Sequence, residues 1–165
     1  MIIGIAAAAV VTVAFSIIFQ VNKSHMPFAA LNGALGYAIY LLLLPVNIYA
    51  GILAGSAAIA LAGELMARWR RAPATLFLVA PLIPLVPGGD IYQSLLMLLT
   101  NNLSQTAHYL YLTLMKSGSI ALGIIFVSSA FVLVRNFHAR RRQLWQAGRK
   151  PIPSQPGRNK PQPKP

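Results

Sequence analysis

Within the twelve residues Pro81-Leu82-Ile83-Pro84-Leu85-Val86-Pro87-Gly88-Gly89-Asp90-Ile91-Tyr92, three prolines and two glycines precede one of the only two acids in the chain. Each interior proline removes a backbone hydrogen bond and clashes with the preceding turn. Pro81, Pro84 and Pro87 together therefore predict the end of a helix. Gly88 and Gly89 admit backbone dihedrals closed to other residues. In a polar setting such a stretch would be an ordinary loop. Here residues 74–80 and 91–99 on either side are almost wholly apolar. Unpaired backbone groups are costly in hydrocarbon, so non-helical backbone at membrane depth persists only inside protein or beside a water-filled cavity.

Outward from this stretch the chain reads as an all-α, polytopic membrane protein. Of its 165 residues 56% are hydrophobic and 10% charged, against about 25% charged in soluble domains. A spanning helix needs about 20 mostly apolar residues, with a range of roughly 17–25. Residues 2–21, 27–44 and 48–67 meet that length; residues 74–99 make a fourth, interrupted crossing. Residues 101–116 are less apolar, with Leu103, Ala107, Leu110 and Leu114 at helical spacing. They predict an amphipathic helix at the interface or packed on the bundle. Residues 117–134 form a fifth span. The first segment lacks the basic n-region of a signal peptide and is longer than its apolar core, so it reads as a retained span. Ser24 is placed to cap the second helix, with Pro27 in its first turn.

The net charge of +12 comes from placement as much as from number: nine of the fourteen Lys and Arg lie from Arg135 onward. A nucleic-acid-binding domain would spread them over a folded polar face, and no such face remains; no nucleic-acid partner is expected. Cytoplasmic loops carry the excess of Lys and Arg. Five crossings with the N-terminus outside put Lys23, Arg68, Arg70, Arg71 and the nine tail residues inside and leave Lys116 alone outside. The expected organisation is a transmembrane domain over residues 1–135 and a basic, Pro-rich, disordered cytoplasmic tail over residues 136–165. Trp69 and Trp145 flank basic clusters as interfacial anchors do, and Arg140-Arg141-Arg142 suits anionic lipid headgroups.

Asp90 admits two readings. A carboxylate at the centre of a spanning helix costs about 2.5–3.5 kcal/mol on the insertion scale. In one reading Asp90 caps a half-helix starting at Ile91, and Gln93 completes a capping-box-like pair. In the other it faces a pathway and meets a cation, an ammonium group or a proton. Discontinuous helices of this kind build substrate sites in transporters. The N–H groups at the start of the half-helix attract a carboxylate, while Asp90 beside them suits the ammonium of the same zwitterion. Asn101 and Asn102 either line a pathway mouth or cap a helix. His25, His108 and His138 form no ligand spacing, and there is no cysteine, so no metal and no cofactor is expected. Ser56 has no nearby base, and no nucleophile and base can be paired for an enzyme. Gly4 with Ala8, Ala30 with Ala34, and Gly51 with Gly55 stand four apart and predict close helix packing.

The proline run, with Phe19-Gln20-Val21-Asn22 and the Gly-rich span Leu31-Asn32-Gly33-Ala34-Leu35-Gly36-Tyr37, resembles the threonine/serine exporter family over roughly residues 1–135. The resemblance is to the short subunit type that corresponds to the C-terminal half. It implies a bacterial inner-membrane exporter of threonine or serine, or in some members a small dicarboxylate such as succinate. It also implies a partner subunit carrying the complementary half. The expected substrate-binding residues are Pro84, Pro87, Gly88, Gly89, Asp90, Tyr92 and Gln93. Backbone N–H groups from Gly88 to Ile91 would hold the substrate carboxylate; Asp90 would hold the ammonium or couple a proton. Tyr92 and Gln93 would orient the substrate. Five spans hold half a site, so sealing a path from lipid needs the partner or a homo-oligomer. The competing reading is a membrane scaffold that transports nothing.

Overall fold

The computed structural model describes the backbone of residues 1–147 and the side chains of residues 1–133; residues 148–165, with most of the Pro-rich tail, lie outside the described residues. Every regular element described is helical: α1 (Ile2–Ile18), α2 (Met26–Leu43), α3 (Ile48–Arg70), α4 (Thr75–Leu82), a 3-10 turn (Ile83–Leu85), α5 (Gly88–Leu99) and α6 (Leu103–Ala147). Residues 1–130 form one compact unit.

The elements end where local chemistry stops them. Segment one stops at Ile18 rather than residue 21, because Gln20 takes a left-handed φ of 54°. The Gln20 and Val21 N–H groups then fold back to the Ile17 and Ser16 carbonyls at 3.0 and 2.9 Å, the Schellman arrangement. Asn101 (φ 57°) ends α5 in the same way, and Asn102 Oδ1 accepts from the Gln105 N–H at the start of α6. Both asparagines are therefore caps. Asn47 caps α3 by accepting from Tyr49 and Ala50. Ser24 caps nothing: α2 starts at Met26 with His25 at its cap position and Pro27 in the first turn.

α2 is central, packed on α1, α3 and α4. Close approach explains the glycines of α3 that face it: a Cβ on Gly55 would lie 2.8 Å from the Gly36 carbonyl, and one on Gly51 3.0 Å from that of Tyr40. α6 lies equally close to α3, where a Cβ on Gly123 would sit 2.6 Å from the Leu53 carbonyl. Small residues of this kind let backbones meet where lipid removes the usual hydrophobic drive. At the end of α3, the Arg70 guanidinium stacks 4.8 Å over the Phe28 ring, and Phe28 meets Trp69 edge-on.

Among the described residues, three helices are long and apolar enough to cross a membrane: Met26–Leu43, Ile48–Arg70 and Leu103–Leu133. Thr75–Leu85 and Gly88–Leu99 qualify together as a span bent by 52° at its break, and Ile2–Ile18 is a shorter apolar helix. With 17 residues, α1 stands at the lower limit for a crossing. The chain is thus a multi-pass helical membrane protein whose fourth span is broken. One expectation needs correction. The amphipathic helix over residues 101–116 and the span over residues 117–134 are one helix, which runs on past residue 135 to Ala147. No proline interrupts it, and the hydroxyls of Thr113 and Ser119 bond back to the carbonyls of Tyr109 and Met115, a pattern compatible with a continuing helix.

Candidate functional site

A proline leaves the carbonyl four residues earlier without its helical donor, so the break between α4 and α5 can be followed bond by bond. Pro81 frees the Phe77 carbonyl, and the buried Asn32 side chain donates to it at 2.7 Å. The same amide donates to the Ile59 carbonyl at 3.0 Å, so Asn32 ties α2, α3 and α4 together. Pro84 frees the Ala80 carbonyl, which accepts from the Ile83 N–H instead. Pro87 frees the Ile83 carbonyl, which accepts from Val86 at 3.1 Å. Only Val86 and Pro87 lie outside helix. The expected end of the helix is therefore a narrow break with its freed carbonyls satisfied.

Gly88 and Gly89 do not take the unusual dihedrals anticipated for them. Both are helical and exposed, and an added Cβ would meet nothing within 4 Å. What they leave is bare backbone at the start of α5. Two of the four N–H groups expected to receive a carboxylate are already engaged: Gly88 donates to Val86 at 2.8 Å and Ile91 to Pro87 at 3.2 Å. That leaves Gly89 and Asp90.

Asp90 lies inside the first turn of α5, which starts two residues before it, and makes no capping bond. The capping reading with Gln93 is thereby replaced. Its carboxylate instead meets the Lys116 ammonium of α6 at 2.5 Å, and the two side chains are 17% and 18% exposed. Lys116 was expected on the outer side, at the end of an amphipathic helix; it lies within the apolar stretch Leu103–Leu133 and is the only Lys or Arg there. At 1.5 Å per residue, Asp90 and Lys116 stand about 15 and 21 Å along their helices from the turn at residues 100–102. Both distances are shorter than the thickness of a hydrocarbon core, about 30 Å.

The pair forms one wall of a cleft of about 220 Å³. Tyr37 and Tyr40 of α2, Ile48 and Ile52 of α3, and Pro84 to Pro87 with Gly89 complete its lining. Of the residues expected from sequence, Pro84, Pro87, Gly89 and Asp90 come together here. Gly88 stands beside the cleft without lining it. Tyr92 is 64% exposed on α5, and Gln93, half-buried, is also outside the lining. Lys116, Tyr37 and Tyr40 were missed. For Lys116 a signal existed, since no proline separates residues 101–116 from residues 117–134. For the tyrosines the spacing carried none. Among the described residues no group of His, Asp and Glu could hold a metal ion.

A family model described as threonine/serine exporter, ThrE, matches residues 4–130. That stretch contains every residue that lines the cleft. No solved structure matches the chain.

Proposed function

Because the chain belongs to the threonine/serine exporter family, we infer that it exports threonine or serine through the cleft at the break between α4 and α5. The observation that carries this reading is the Asp90–Lys116 pair between two apolar helices. Ionisable groups within spans mark substrate or ion pathways, and helix breaks place backbone dipoles beside them. The cleft offers one carboxylate, one ammonium and the uncovered N–H groups of Gly89 and Asp90. That set complements a small zwitterion. A dicarboxylate such as succinate would bring two negative charges to one lysine and face Asp90 with like charge.

Alternating access would work on α4 and α5, which meet at a 52° bend with two non-helical residues between them. Pro84, Pro87, Gly89 and Asp90 form the proposed substrate wall, with Gly88 keeping the backbone open. Tyr92 and Gln93 receive no substrate role. A cleft holding a charged pair cannot face lipid, which supports a covering partner, either a subunit with the complementary half or a second copy. The proposed orientation has the N-terminus outside and the C-terminus in the cytoplasm of an inner membrane, and the absence of Lys and Arg from the turns at residues 44–47 and 100–102 supports it.

The test is substrate release from cells with and without this chain, loaded with labelled threonine or succinate. Faster threonine release with the chain present, and unchanged succinate release, is expected. Unchanged threonine release removes the reading.

A further inference from the structure

At the charged end of the cleft the Lys116 ammonium is paired with one carboxylate oxygen of Asp90, Oδ2. Resting on the export reading, we propose that Lys116 is a substrate-binding residue that exchanges partners with a zwitterionic α-amino acid: the substrate ammonium replaces Lys116 on Asp90, and Lys116 takes the substrate carboxylate.

An ammonium ligand that takes the place of Lys116 on Asp90 displaces the lysine. The displaced lysine is then an unpaired charge in an apolar helix, beside the buried Ile120 of the core cluster. A simple amine leaves it so. A dicarboxylate offers a partner to Lys116 and strands Asp90. An α-amino acid supplies both partners on adjacent atoms, so one ion pair becomes two and no charge is left over. Backbone alone serves the carboxylate poorly, since the Gly88 and Ile91 N–H groups are bonded within the chain. Lysine suits the exchange: its ammonium is a point charge on a flexible stem, whereas an arginine fork would clasp Asp90 through two bonds.

The experiment uses membrane vesicles from cells making the full chain, loaded with threonine or with threoninol, which keeps the ammonium and side chain but lacks the carboxylate. Wild-type vesicles should release threonine at far lower half-saturating concentration than threoninol. Lys116→Met should raise that concentration for threonine by roughly 10- to 100-fold, the worth of a charge-assisted bond, and leave threoninol unchanged or improved. Asp90→Asn should weaken both. If Lys116→Met does not reach the membrane, Lys116→Gln, of like length and uncharged, should give the same split. Threonine handled as by wild type in the lysine variants, or a parallel fall for both compounds, overturns the exchange. Wild-type vesicles releasing threonine no faster than vesicles without the chain overturn the export reading itself, and the exchange with it.

Discussion

Asn32 shows how much one side chain carries here. It is fully buried, and its amide closes the gap that Pro81 opens at the Phe77 carbonyl. Leaving that carbonyl unpaired in a dry interior costs about 1–3 kcal/mol. Asn32→Leu should lower stability by that amount in a denaturation series in detergent. The loss should shrink in a Pro81→Ala background, where residue 81 regains its own N–H, so a double-mutant cycle should show coupling of about 0.5–3 kcal/mol. Equal losses in both backgrounds would contradict the pairing. None of this was legible beforehand: Asn32 stood only as part of a Gly-rich span, and its partner lies 45 residues away. Asp90 was legible, as a lone acid after a helix break. Its partner was not, because Lys116 was read as the end of a polar segment rather than as an isolated charge in an apolar one.

At the scale of elements, the break does more than stop a helix. Three prolines set α5 at 52° to α4, and that angle carries Asp90 to α6. Replacing Pro84 and Pro87 together by alanine restores two helical donors and should straighten the span. Threonine release should then fall steeply while the protein still accumulates in the membrane; unchanged release would detach the bend from function. The location of this break was read correctly from proline spacing, since its cause is local. The extent of α6 was not. The weaker apolar character of residues 101–116 suggested an interfacial helix, but amphipathicity reports which environment a helix faces, not where it ends. The ends are set by caps and breakers, and between Asn102 and Ala147 there is no proline.

For the whole molecule, helical class and multiple crossings followed from composition and segment length, while the packing around α2 depended on glycine contacts between distant segments. Orientation rests on charge placement: with Lys116 inside the span, the outer turns carry no Lys or Arg at all. A reporter fused after Pro165 should be active only on the cytoplasmic side, and activity on the outer face would invert the topology. In the proposed export cycle, substrate occupies the cleft between the break and α6. The absence of cysteine from the chain allows a direct measurement, the rate at which a small charged thiol reagent modifies a Gly89→Cys variant that still exports threonine. Position 89 lines the cleft and has open space for a side chain. Threonine should slow the modification in a saturable way and succinate should not. Modification at the same rate with and without threonine would contradict that occupancy.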